Sequence, residues 1–97
     1  MEVRYHPEAE QELLNEIAYL ELRAENLGRR LLREILRSEA FLAQFPEAAP
    51  EIVPGIRKYR LRKFRYSLIY SIEGDIVWIL AVAHQSRRPG YWMIRIQ

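Results

Sequence analysis

Near its C-terminus the chain places His84, Arg87, Arg88 and Tyr91 within eight residues of one another. Those side-chain types could support phosphoryl transfer without a metal. Cleaving an RNA strand requires a base to remove the 2′-hydroxyl proton, an acid to protonate the leaving oxygen and positive charge on the phosphate, and His, Tyr and Arg meet these needs in turn. On structural grounds alone, His84 also reads as a histidine at a strand end, and Arg87 and Arg88 as ion-pair partners of acidic helices.

A second basic element lies upstream, where six of the nine residues from Arg57 to Arg65 are Arg or Lys. Alternation puts Lys58, Arg60 and Arg62 on one face of a strand, with Lys63 and Arg65 in the turn that follows. Tyr59, Phe64 and Tyr66 lie between them. Such a stripe can hold phosphates and stack bases on any exposed ring, although the same alternation points Tyr59 into the core. Residues 1–51 carry 11 acidic and 6 basic side chains, whereas residues 52–97 carry 2 acidic and 9 basic ones, so a total of +2 conceals halves of −5 and +7. The positive half favours polyanions or acidic protein segments.

Other chemistries find little support. The chain has no Cys and two His at opposite ends, with no helical His–Glu pair or Asp-rich loop, so no metal is expected. The glycines Gly28, Gly55, Gly74 and Gly90 are isolated turn residues rather than a phosphate-binding fingerprint, so no nucleotide cofactor is expected either. Ser67, Ser71 and Ser86 lack the Gly-x-Ser-x-Gly setting of an activated nucleophile. The absence of Cys suits a reducing compartment, no signal peptide is evident and no apolar run approaches the roughly 20 residues of a membrane span. The expectation is a cytoplasmic protein that does not contact membranes.

The elements that must carry these residues fit a single domain over 1–97. Val3-Arg4-Tyr5 is a short alternating segment. Pro7 and the acidic Glu8 and Glu10 mark a helix start, and Ala9, Leu13, Ile17 and Leu20, flanked by Leu14 and Ala18, continue with helical spacing to about Arg23. Asn26 is the candidate N-cap of a second helix from about Leu27 to Phe45, whose inner stripe is Leu31, Ile35, Leu42 and Phe45, widened by Leu32, Leu36 and Phe41. The short link makes the pair an antiparallel hairpin. Pro46 to Pro50 and Pro54-Gly55 are loops. Strands follow at 57–62, 66–72 and 76–83, the last two joined by a tight turn at Glu73-Gly74-Asp75. The fold class is therefore α+β, with a short N-terminal strand and a helix hairpin packed on a small antiparallel sheet.

The order strand, helix hairpin, Phe64-Arg65-Tyr66-Ser67-Leu68-Ile69-Tyr70, Glu73-Gly74-Asp75 and Val82-Ala83-His84-Gln85-Ser86-Arg87-Arg88-Pro89-Gly90-Tyr91-Trp92 resembles the RelE/ParE superfamily of bacterial toxins from type II toxin–antitoxin systems. The resemblance covers nearly the whole chain, and the C-terminal pattern is its specific part. It implies a growth-inhibiting toxin of plasmid-stabilisation type, neutralised by an antitoxin whose C-terminal segment wraps it. RelE-like members cleave messenger RNA on the ribosome, and ParE-like members poison DNA gyrase without cleaving nucleic acid.

In a RelE-type ribonuclease the resemblance implies an Arg where this chain has Ser67 and a second near Gln85. Tyr91 matches the catalytic C-terminal Tyr, and Arg60 and Arg62 match the basic pair on the preceding strand. A metal-independent endoribonuclease would thus use Arg60, Arg62, His84, Arg87 and Tyr91. Lys58, Lys63, Arg65, Arg88 and Trp92 would contact the target or nucleic acid in either case. The uncharged Ser67 and Gln85 favour a ParE-like gyrase inhibitor, with the ribonuclease and a non-toxic, antitoxin-binding co-repressor as alternatives.

Overall fold

The computed structural model describes residues 1–96. Strand β1 (Glu2–Tyr5) leads into helices α1 (Pro7–Arg23) and α2 (Leu27–Gln44), followed by strands β2 (Glu51–Val53), β3 (Ile56–Arg60), β4 (Tyr66–Glu73) and β5 (Ile76–His84) and a 3₁₀ turn at Tyr91–Arg95. The strands form one sheet in the order β1-β5-β4-β3-β2. The meander β3-β4-β5 is antiparallel, as the alternation predicts. The sheet is nevertheless mixed, because β1 runs parallel to β5 with Val3 opposite Val77 and Tyr5 opposite Ile79. Two helices between β1 and the meander supply the crossover that a parallel pair requires.

The helices start and stop for local reasons. His6 caps α1, its Nδ1 accepting from the Glu8 N–H at 3.1 Å, and Pro7 occupies a position where no N–H is needed. Asn26, expected as the N-cap of α2, sits there in the left-handed region (φ 68°) but makes no side-chain cap. The carboxylate of Glu21 reaches across instead and accepts from the N–H groups of Asn26 (2.8 Å) and Gly28 (3.0 Å). Gly28 lets the two helices approach closely, since a Cβ there would lie 2.4 Å from the Ile17 carbonyl.

Leu31, Ile35 and Leu42 of α2 pack with Ala9 and Leu13 of α1 onto Leu68, Tyr70, Val77, Ile79 and Val82. Phe45 is not part of this stripe: it follows the last helical residue with φ −127° and ψ 69°, which turns its ring outward against Phe41. Leu32, Leu36 and Phe41, expected to widen the stripe, are also exposed, as are Leu14 and Ala18 on α1.

Strand boundaries differ from the alternation in two places. β3 ends at Arg60 rather than Arg62, because the N–H groups of Arg62 and Lys63 turn away and donate to Glu34 of α2 at 2.6 and 3.3 Å. β2 lies where a loop is expected, returning from β3 through Pro54-Gly55, with Gly55 at φ 80°. A bulge at Leu80, between the pairs Ile69–Ala81 and Tyr70–Ile79, shifts the alternation of β5. Ile79 and Val82 consequently face the helices, while Leu80 and Ala81 join Ile56, Ile69 and Trp92 on the opposite face.

Candidate functional site: a cationic groove and its C-terminal wall

The sheet face away from the helices carries the candidate site. The 3₁₀ turn lies over one end of that face and leaves the rest open. There, a hollow of about 290 Å³ is lined by Lys58 and Ser67 and by the segment from His84 to Trp92. A second hollow of about 340 Å³ is lined by Lys58, Arg60, Arg62, Lys63, Arg65 and the rim of β4. Lys58, Ser67 and Gln85 line both, so the two form one groove. No carboxylate lines either part. Lys58, Arg60, Arg62, Lys63, Arg65 and Arg88 make no ion pair among the described residues.

The wall of the groove is built on Glu12, which sequence reasoning missed. β1 ends at Tyr5, opposite Ile79, and leaves the backbone edge of β5 beyond that point without a strand partner. Glu12 Oε1 accepts from the Val82 N–H at 3.0 Å, and Arg95 Nη1 donates to the Leu80 carbonyl at 2.9 Å. Two side chains thus stand in for the missing strand. They also bind each other through Nη1–Oε1 (3.0 Å) and Nη2–Oε2 (2.9 Å), a bidentate pair with Arg95 only 7% exposed. Arg95 Nε lies 2.9 Å from Glu8 Oε2, at an angle that makes no hydrogen bond.

Burial pushes the Glu12 carboxyl upward, but hydrogen bonds from Arg95, Tyr91 and Val82 outweigh it and hold the group below the usual carboxylate range. A legible signal exists in the sequence. Glu12 falls between Ala9 and Leu13, at the border of the apolar stripe, where a lone charge requires a partner.

Tyr91 is bound into the same cluster. Its hydroxyl donates to Glu12 Oε2 at 2.7 Å, the Arg87 guanidinium stacks 3.8 Å from its ring centroid and Arg95 lies 5.1 Å away. Burial and the adjacent carboxylate raise the phenol well above its ordinary value. Arg87 also lies 3.8 Å from Glu12 Oε2. His84 is held locally, its Nδ1 accepting from the Ser86 N–H (3.1 Å) and lying 2.7 Å from Ser86 Oγ, with its ring edge-on to Tyr66 at 5.0 Å.

The structure therefore brings His84, Arg87 and Tyr91 into the first hollow and places Arg60 and Arg62 in the second. Lys63 and Arg65 line the second, Arg88 the first, and Lys58 joins both. Trp92, expected as a contact residue, is 4% exposed and packs with Ile56, Ile69, Leu80 and Ala81. Its expected role is corrected accordingly: the ring is the underside of the groove wall, because the 3₁₀ turn must cover the apolar end of the sheet. Ser67 is buried in the floor, and Gln85 at the rim donates its N–H to the Arg65 carbonyl at 2.9 Å. No group of three or more His, Cys, Asp or Glu residues that could hold a metal exists among the described residues, and no described helix is long and apolar enough to cross a membrane.

A helix hairpin packed on one face of a five-stranded sheet agrees with the fold expected from the resemblance to the RelE/ParE superfamily. Residues 3–89 match the family described as "ParE toxin of type II toxin-antitoxin system, parDE", and the chain belongs to that family. A solved structure titled "Chromosomal ParDE TA system from P. aeruginosa" contains a chain that is similar with a TM-score of 0.75 at 18% sequence identity, covering 87% of this chain and 95% of that one. A search of curated protein sequences gives no match.

Proposed function

We propose that the protein acts as the toxin of a type II toxin–antitoxin pair by inhibiting DNA gyrase, contacting its target through the cationic groove without cutting nucleic acid. One observation carries this reading. The Tyr91 hydroxyl, the best candidate acid of a ribonuclease, donates to Glu12, and the two positions where such an enzyme would hold arginines are Ser67 and Gln85. The groove then offers charge but no obvious acid–base pair.

Purified gyrase assayed for supercoiling with and without the protein is the test. Loss of supercoiling that survives Tyr91→Phe is expected, and unchanged supercoiling at saturating protein would sink the reading. A ribosome-dependent endoribonuclease is the second reading, favoured by the meeting of His84, Arg87 and Tyr91 in one hollow. It requires codon-positioned cuts on translated messages that disappear in Tyr91→Phe.

The partner is a cognate antitoxin, and the cytoplasm is the compartment in which both would act. Exposed Phe41 and Phe45, with Tyr59 beside Phe41 at 5.7 Å, form an apolar ridge suited to the antitoxin's apolar residues. Acidic residues of the same segment would shield the basic half. The toxin's melting temperature should rise on antitoxin binding.

A further inference from the structure

We infer that the groove is a binding site for the sugar–phosphate backbone of a nucleic acid, occupied directly by this chain and without help from a protein target. The inference deepens the gyrase reading and rests on it for its biological setting. Its physical basis is separate. Lys58, Arg60, Arg62, Lys63, Arg65 and Arg88 converge on one concave surface from β3, the loop after it and the segment after β5. None of them makes a side-chain ion pair among the described residues; the carboxylate of Glu34 accepts from the backbone N–H groups of Arg62 and Lys63.

Three basic side chains outside the groove are tied into the fold. Arg4, Arg57 and Arg95 each have an acidic partner, and Arg57 also donates to the carbonyls of Glu47 and Ala49, where it pins the loop before β2. Arg23, Arg29, Arg30, Arg33 and Arg37 on the helices also make no ion pair among the described residues, so convergence on one concave surface, and not the lack of partners, sets the groove cations apart. Holding six like charges on one surface costs folding free energy through self-repulsion, and a polyanion relieves that repulsion on binding while releasing its own condensed counterions.

An acidic peptide is the competing occupant, and the lining argues against it. A peptide needs apolar anchors to hold its register; Ile52 and Ile69 line the first hollow, but the exposed rings of Phe41 and Phe45 lie outside both. The floor presents Ser67 and the rim the side-chain amide of Gln85, groups that hydrogen-bond phosphate or sugar oxygens. Aromatic stacking contributes little: Tyr66 and Trp92 are buried, Phe64 packs against the core, and the half-buried Tyr91 ring is already covered by Arg87. The site consequently reads backbone and not base, and sequence preference is expected to be weak.

The experiment is fluorescence anisotropy with the full chain and three labelled probes: a 20-base-pair DNA duplex, a 20-nucleotide single strand and poly-glutamate of similar charge. Binding of at least one nucleic-acid probe is expected, falling about a hundredfold between 50 and 200 mM salt if about four phosphates are neutralised. Arg60→Ala or Lys58→Ala should reduce the magnitude of the log–log salt slope by about one, whereas Arg29→Ala and Arg33→Ala on the outer side of α2 should leave it unchanged.

The two nucleic-acid probes separate duplex from single-strand recognition. Poly-glutamate should bind at least tenfold more weakly. No binding of either nucleic acid at 50 mM salt, equal binding of poly-glutamate, or equal effects of the groove and α2 substitutions would each overturn the inference. Should a groove variant unfold, the wild-type slope and the poly-glutamate comparison decide alone. Gyrase inhibition without nucleic-acid binding defeats this inference and spares the gyrase reading; binding without inhibition does the reverse.

Discussion

Arg95, in the last turn of the chain, grips Glu12, in the first helix, through two hydrogen bonds of 3.0 and 2.9 Å across 83 residues of sequence. That pair seals the unpartnered edge of β5 and fixes the wall on which Arg87 and Tyr91 stand. Removing one member of a buried charge pair leaves the other uncompensated, at a cost of about 3–5 kcal/mol. For a domain of this size Glu12→Ala should therefore lower the melting temperature by more than about 10 °C. Glu12→Leu combined with Arg95→Met should cost less than the sum of the two single changes. Thermal melts of the wild type and these four variants check both statements, and strict additivity would show that the pair is not coupled.

The same carboxylate sets a pH dependence. Its folded pKa is depressed below the unfolded value of 4.5, so its stabilising contribution is complete above that value and is lost as pH falls through the folded one. Melting temperature should drop as pH falls below about 4.5, and the drop should be shallower in Glu12→Gln than in the wild type. At the alkaline end, burial and a hydrogen-bonded Glu raise Tyr5, Tyr66 and Tyr91 alike. Unfolded tyrosines ionise near 10, so stability should also fall above that pH. A phenolate absorbance titration should show these three ionising at higher pH in the folded protein than in the unfolded one.

Trp92→Ala should act on stability rather than selectively on target binding. The ring is the largest member of the small core beneath the 3₁₀ turn, and deleting a buried aromatic costs about 3–5 kcal/mol. Denaturant unfolding checks this, and a fully stable variant that had lost only target binding would contradict the placement.

Gly28→Ala places a methyl group 2.4 Å from the Ile17 carbonyl and close to the Glu21 side chain that closes the hairpin turn. The helices must move apart, and overpacking of this kind costs about 1–3 kcal/mol. Circular-dichroism melts should show the loss, in contrast to the gain usual when Ala replaces Gly within a helix.

Much of this architecture was legible in the sequence because its signals are local. The 3.6-residue period of Leu31, Ile35 and Leu42, the Pro7 start and the turn at Gly74-Asp75 belong to single elements, and each emerged where expected. What was hidden depends on tertiary pairing. The parallel partnership of β1 with β5 has no sequence signature, since a four-residue strand reads the same at either edge. The bulge at Leu80 is invisible in a uniformly apolar run. The basic residues of the groove were legible by charge; Glu12 left a trace at the border of the apolar stripe, but its pairing with Arg95 did not, because a buried ion pair is recognised only when both partners are known to meet. Trp92 was misread because an aromatic amid arginines resembles a stacking surface until the turn that buries it is seen.

The parallel pairing of β1 with β5 also constrains when the protein can act. As the chain emerges from the ribosome, residues 2–5 have no strand to join until Ile76–Ile79 has been made, and Glu12 waits longer still for Arg95. Contacts of such long sequence separation form late. The groove wall is thus assembled only after Arg95 has been synthesised, which leaves an interval in which the nascent chain already carries its cations but lacks the wall beside them.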